Sequence, residues 1–562
     1  MSHDKTALDP ISLEIIANGL RSIADECFIA LMRSAYSTNI KERRDHSIAI
    51  IDASGRLIVQ AVEALPIHIA SMSGLIRCLM EKYGEDIEDG DLFVANDPHT
   101  AGGTHLPDIN YAMPIFIKGE MVAFLCNIAH HADVGGMAPG SMAGGMTEIY
   151  QEGLRIPVIK LFRRGEMQTD IMDLLLLNVR VPEERRGDHN AQIASCRLGV
   201  RRFHEVVATH GLPNVKAAFD GIIDRTRQRM RKAIAEIPDG TYRFEDVMDG
   251  DGVNTYDIPI KLALTVNGDS AKFDFTGSSS QVSGNINVSM NATAASVCYA
   301  LKAVLDPDVP SNQGVLDMAD IEAAPGTILN ANFPAPVAAR AQTCMRVIDV
   351  VLGAMAEALP GRVTAAANGA NVTAVFSGID PRNGRSYLYL ETVGGGMGAR
   401  PSKDGKDGVQ VHITNTSNLP VESIEQEYPL RVEEYCLVED SGGAGQYRGG
   451  MGLRRVVTPV GHTCEFNGVG ERFQHKPWGL AGGESGACGQ FRIHDIDGER
   501  RLDDKPGKIH VPIETQIVIE TPGAGGFGTP ENRLADAVAH DQLSGKFSSS
   551  YIECHYGHPV KQ

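Results

Sequence analysis

The sequence predicts a mixed α+β, multi-domain fold, with an α/β N-terminal domain followed by β-rich middle and C-terminal parts. Three observations predict it. At 562 residues the chain is longer than one hydrophobic core ordinarily organises. Apolar residues make up 43% and charged residues 22%, a balance that allows a large buried core. The hydrophobic period alternates between 3.6 and 2 along the chain, and near Asp239 period and composition change together. Domains are therefore expected over 1–238, 239–360 and 361–562.

Each element follows from local signals. Asp9 as N-cap and Pro10 at the first helical position open a helix that carries Leu13, Ile16, Leu20, Ile23, Cys27 and Leu31 at helical spacing. HSIAIIDASGRLIVQ, residues 46–60, reads as two strands around a Ser-Gly turn. A helix over 67–82 is stopped by Gly84, and a strand over 91–95 leads into the loop NDPHTAGGTHLPD, residues 96–108. NYAMPIFIKGEMVAFLCNIAHH, residues 110–131, is two apolar runs around a Lys-Gly-Glu turn, the pattern of a buried hairpin. Helical periodicity returns over 193–236, broken at Gly211-Leu212-Pro213. Residues 240–276 are strands with an Asn-Gly-Asp turn, helices are expected over 294–305 and 343–359, and from Gly361 the chain is rich in strands and glycine.

Charge and cysteine usage exclude several classes. A net charge of -19 argues against nucleic acid as a partner. The one basic run, Arg225, Arg227, Arg229, Arg231 and Lys232, reads as the solvated face of a helix. Ten scattered cysteines without a C-x-x-C pair suit reduced thiols in the cytoplasm. No signal-like leader and no apolar stretch of membrane-spanning length is present, so no membrane association is expected.

The segment from Asn96 to Gly136 concentrates histidines and carboxylates on tight loops at the ends of apolar strands. In His105-Leu-Pro-Asp108 the proline disfavours helix, leaving an extended loop whose two polar side chains can converge. His130 and His131 follow a strand and point to opposite faces, so one of the two can join that site while the other serves substrate or supports a ligand. Asp45, just before a strand, is the foremost fourth candidate, with Asp97, His99 and His46 behind it. The N-terminal domain is thus expected to bear a divalent metal. Asp, Asn and His also serve as plain turn formers, and spacing alone leaves both readings open.

NDPHTAGGTHLPDI, HHADVGG, QEGLRIPVIKL, GAGQYRGGMGLRR, KPWGLAGGESG and ETPGAGGFGTPENR recur in order across nearly the whole chain. Together they resemble the hydantoinase B/oxoprolinase family, which includes B subunits of ATP-dependent hydantoinases, 5-oxoprolinase and caprolactamase and is related to the large subunit of acetone and acetophenone carboxylases. The resemblance implies a B subunit of an ATP-dependent cyclic-amide amidohydrolase, acting on a hydantoin, 5-oxoproline or lactam ring in a hetero-oligomer with a hydantoinase A-type ATPase subunit that binds ATP. It implies a Zn, Mn or Fe ion held by Asp45, His105, Asp108 and His130. His131 or Asp133 would carry a proton or support a ligand, and Glu152 is a further catalytic candidate; packing or loop roles remain open for all three. His46 and His99 would flank the site, where many relatives carry a hydrophobic and an aromatic residue respectively. The alternatives are the large subunit of an ATP-dependent ketone carboxylase and a non-catalytic scaffold for the ATPase partner.

Other motifs are set aside. Gly523-Ala-Gly525-Gly-Phe-Gly528 matches G-x-G-x-x-G, but Pro522 and Pro530 flank it and the chain ends too soon for a returning strand. No P-loop and no G-x-S-x-G elbow occurs, and Cys126 inside an apolar strand reads as core rather than nucleophile.

Overall fold

The computed structural model describes residues 8–369 and 372–557. Helices α1 (Pro10–Ser34), α2 (Thr38–Lys41), α3 (Ile69–Tyr83), α4 (Thr169–Leu177), α5 (Pro182–His210) and α6 (Leu212–Ile234) surround a seven-stranded sheet. Its strands are β1 (His46–Asp52), β2 (Leu57–Gln60), β3 (Leu92–Ala95), β4 (Asp108–Ile117), β5 (Glu120–His130), β6 (Ile159–Arg163) and β7 (Glu166–Met167), in the order β2-β1-β5-β4-β3-β6-β7. α1 opens as the sequence predicts, with the Asp9 carboxylate accepting from the amides of Ile11 and Ser12.

Both faces of this sheet are buried, so its strands read as continuous apolar runs instead of alternating ones. The period of 2 survives in which core each residue enters. Ile48, Ile50, Ala123, Leu125 and Ala129 pack under α1 and α5, whereas Ala49, Ile51, Phe124, Cys126 and Ile128 face α3 and the middle of the chain. Cys126 is core, and burial pushes its thiol pKa well up.

α5 begins eleven residues before the expected start at 193. Its first turns, PEERRGDHNAQ, have no apolar stripe because they bury polar groups: Arg185, Asp188, His189 and Gln192 are all inside. The basic run on α6 is ion-paired across helices, Arg225 with Glu14, Arg227 with Asp317 and Arg229 with Asp306.

The middle of the chain forms a four-stranded sheet of β8 (Gly240–Gly250), β9 (Tyr256–Asn267), β10 (Ser270–Asp274) and β11 (Asp320–Glu322), with helices α7 (Met290–Leu305), α8 (Gln313–Leu316) and α9 (Arg340–Ala358). The C-terminal part holds a four-stranded and a five-stranded sheet. The largest apolar cluster runs from Ala49 to Val469, taking residues from both sides of each expected boundary. The 523–528 glycines serve close backbone packing: a Cβ at Gly523 would stand 1.8 Å from the Ser441 carbonyl oxygen, and one at Gly525 1.9 Å from that of Trp478. No helix among the described residues is long and apolar enough to cross a membrane.

Candidate metal centre

The β4–β5 hairpin is the frame of the site. Its register sets Asp108 directly opposite His130 at the open end, and β1 runs alongside so that His46 faces Ala129. Asp45 precedes that pair, and its carbonyl oxygen accepts the His130 amide at 3.0 Å. The loop between β3 and β4 returns His105 over the same end, bringing one ligand atom each of His105, Asp108 and His130 within 4.8 Å of one another.

The hydrogen bonds fix what His105 and Asp108 can offer. His105 Nδ1 lies 2.9 Å from the carbonyl oxygen of Ala338, so Nδ1–H donates there and Nε2 keeps its lone pair. That Nε2 stands 3.1 Å from Asp108 Oδ1, and neither atom has a hydrogen-bond partner. Two lone pairs face each other in a buried place, an arrangement that calls for a cation between them. Burial lowers the His105 pKa, and the Arg340 guanidinium lowers it further, so a proton is disfavoured as that cation. Burial would raise the Asp108 carboxyl, but Arg340, His105 and His68 outweigh it and hold it well below the usual range. The pair is therefore neutral imidazole and carboxylate near neutral pH, the ligand forms.

Asp108 Oδ2 is held separately. Thr104 Oγ1 donates to it at 3.1 Å, Arg340 forms an ion pair with it, and His68 Nε2 approaches to 3.5 Å. The Leu65 amide donates to Ser47 Oγ at 2.9 Å, and Ser47 Oγ lies 2.8 Å from His68 Nδ1. With Ser47 donating to Nδ1, the His68 proton is on Nε2 and turns to Asp108.

His130 Nδ1 lies 2.9 Å from the Asn39 amide nitrogen, which also donates to the His130 carbonyl at 2.7 Å, while Arg43 donates to the Asn39 oxygen. In this arrangement the His130 lone pair is on Nδ1, and the His130 carbonyl and Arg43 together fix the Asn39 amide in that sense. Burial, then the neighbouring His105, hold His130 well below the ordinary histidine pKa.

The remaining expected residues divide. Asp45 lies beside Arg43 at 3.9 Å, and its carboxylate stands outside the three-residue group. Burial raises its pKa against the pull of Arg43. His131 points to the opposite face, as strand alternation requires: Nε2 pairs with Gln192 Oε1 at 2.8 Å and the ring packs on His189 at 4.6 Å. Burial takes its pKa down to about 3, too low for a proton carrier at neutral pH. Asp133 is an anchor that accepts from the amides of Gly135, Gly140 and Arg180 and pairs with the Arg180 side chain at 2.7 Å. Glu152 accepts from the amides of Val337 and Ala338 at 2.6 and 2.7 Å, and so steadies the turn whose Ala338 carbonyl orients His105. Burial raises its carboxyl to about 8. His46 turns to α1, stacking on Phe28 at 4.0 Å, and His99 bonds the Ala335 carbonyl at 3.0 Å. Asp97 pairs with Arg155.

Sequence reasoning missed Asn39, Ser47, His68, Thr104 and Arg340. Ser47 had a usable signal, since it shares with Asp45 the strand face that carries the ligands. Arg340 had none, because it arrives from a helix 232 residues away from Asp108.

The fold and site define an α+β protein with a buried His-Asp-His group competent for a divalent ion. The chain belongs to the hydantoinase B/oxoprolinase family, whose model matches residues 9–530. It is 38% identical to an uncharacterized protein of Methanocaldococcus jannaschii over 96% of this chain and 94% of that one. It is 30% identical to the caprolactamase subunit beta of Pseudomonas jessenii over 98% and 96% of the two chains. The crystal structure of the ATP-dependent caprolactamase from that organism superposes with a TM-score of 0.92 at 28% identity, covering 99% of this chain and 97% of that one. A nucleotide-free acetone carboxylase shares the fold, with a TM-score of 0.90 at 20% identity, covering 98% of this chain and 79% of that one.

Proposed function

We propose that this chain is the B-type subunit of an ATP-dependent amidohydrolase that opens a small cyclic amide, a hydantoin, 5-oxoproline or lactam ring, in a hetero-oligomer with an A-type ATPase subunit that binds ATP. The observation that carries the site is the facing pair of buried lone pairs on His105 Nε2 and Asp108 Oδ1. Membership of the family and the likeness to an ATP-dependent caprolactamase support the reaction class. The metal ligands are His105, Asp108 and His130, with Asp45 as the candidate for a fourth.

A divalent metal held there, Zn, Mn or Fe, supplies Lewis acidity for attack of water on an activated amide. The residues of this chain prepare the place. Thr104 and Arg340 fix one oxygen of Asp108, with His68 Nε2 3.5 Å from it, and leave the other free. Ala338 sets the His105 tautomer, and Glu152 steadies the Ala338 turn. Asp45 and His130 are 8% and 6% exposed, whereas His105 and Asp108 are fully buried, so the Asp45–His130 side lies nearer to solvent. His131 and Asp133 hold the scaffold from outside the reacting group.

Elemental analysis of the purified chain beside Asp108→Ala tests the centre. About one Zn, Mn or Fe per chain, lost in the variant, is the expected result. Absence of metal from both proteins would overturn it. Ring opening with ATP and the ATPase partner, without bicarbonate, is expected of the reconstituted pair; consumption of a ketone that depends on bicarbonate would replace the hydrolase reading with a carboxylase.

A further inference from the structure

A cavity of about 590 Å³, lined by none of the metal ligands, opens between α7, α9 and the segment 397–415. It is within the usual size range of a small-molecule site. Arg362, Arg400 and His412 line it, and among the described residues no carboxylate does, in a chain whose net charge is -19.

The acids closest in sequence are turned elsewhere. Asp404 is bound by Arg533, and Asp407 by Arg448 and Lys546. Arg362 donates to the carbonyls of Val304 and Leu305 at the end of α7. Arg400 is left over. Its sole side-chain hydrogen bond among the described residues is with the Asp404 carbonyl at 3.4 Å, and its Nε is buried without a partner.

His412 lines the same cavity. Its backbone is left-handed, with φ of 52°, a strained conformation for a non-glycine residue. Nε2 is bonded to Asp349 Oδ1 at 3.1 Å, and Arg472 fixes the other Asp349 oxygen at 2.7 Å. Nδ1 has no partner among the described residues. Apolar lining comes from Val304, Leu352 and Tyr299, whose ring meets that of His412 edge-on at 6.0 Å.

The geometry points to a binding site for a small organic carboxylate, its anionic end on Arg400, its polar neighbour on His412 Nδ1 and its apolar body against Tyr299 and Leu352. An inorganic oxyanion would leave the apolar wall unused, which is why the site is assigned to a carboxylate with a hydrocarbon body.

Calorimetric titration of the full chain with hexanoate tests it, with hexanamide and inorganic phosphate as probes of charge and shape, run with and without EDTA to separate this site from the metal centre. Hexanoate is expected to bind equally with and without EDTA, and more tightly than either control. Arg400→Gln is expected to weaken it about tenfold to a hundredfold, the range of a charge-assisted hydrogen bond. Ala303→Trp, an exposed cavity residue on α7, is expected to abolish binding by filling the mouth without disturbing the core. Should Arg400→Gln fail to fold, Ala303→Trp decides. No hexanoate binding to the unsubstituted chain, binding unaffected by the variants, binding lost with EDTA, or phosphate bound as tightly as hexanoate would each overturn the assignment.

Discussion

Two buried charge clusters in this molecule use the same residue types to opposite ends. Around Arg472, three buried carboxylates each take two partners. Asp246 takes Arg346 and Arg472, Asp349 takes Arg472 and His412, and Glu471 takes Arg346 and Lys505. That cluster ties α9 to β8 and to the C-terminal part. At the hairpin end, Asp108 has one oxygen served by Arg340 and Thr104 and the other facing the His105 lone pair. Burial and charge are common to both clusters, so neither marks function; an acceptor left opposite another acceptor does.

Breaking the satisfied cluster gives the largest effect. Arg472→Met leaves Asp246 and Asp349 short of a buried cation, and unfolding stability is expected to fall by about 3–5 kcal/mol. Denaturant titration reads it directly. A loss within about 0.5 kcal/mol, the range of an ordinary surface substitution, would mean that the cluster is no joint between these parts of the chain.

Glu152 sharpens the contrast from the side of pH. The folded protein keeps its proton to about 8, whereas an ordinary carboxyl releases it near 4.5. Between those values the native state binds more protons than the unfolded one, so this group makes stability fall as pH rises from 4.5 to about 8. Glu152→Gln removes that dependence while keeping an acceptor for the Val337 and Ala338 amides. The expected result is a variant that gains thermal stability relative to the parent as pH rises through the window; parallel curves would show that Glu152 is ionised in the fold.

A smaller effect is expected from His68→Ala. His68 touches Asp108 but is not among the three ligands, so metal is expected to be retained about 10- to 100-fold more weakly in a chelator competition. Unchanged affinity would remove His68 from the centre.

How much of this was legible in the sequence follows from where each signal lives. The hairpin, the first helix and the strand pair 46–60 were readable because apolar period and turn residues are local. His105, Asp108 and His130 were readable because a proline-containing loop and two strand ends confine them to one place. The start of α5 was not, since Arg185, Asp188, His189 and Gln192 bury polarity and erase the apolar stripe. Arg340 and His68 were not, because their approach to Asp108 is made by packing of distant elements. Asp45 and His46 show the finer limit: adjacent in sequence, they enter opposite faces of the sheet, one beside the centre and one on Phe28.

His131 gives the smallest effect and the strictest test of that facing rule. It follows His130 directly, yet the strand turns it into the core shared with Gln192 and His189, across the sheet from the ligands. A pKa of about 3 keeps it neutral throughout the neutral range, so it has no proton to give there. His131→Asn keeps a polar group within reach of Gln192, and metal content is expected to equal that of the parent, with stability changed by about 1 kcal/mol or less for one buried neutral hydrogen bond. Ring-opening activity with the ATPase partner should also persist. Loss of metal in this variant, with folding intact, would mean that the two neighbouring histidines serve one centre in spite of facing opposite sides of the sheet.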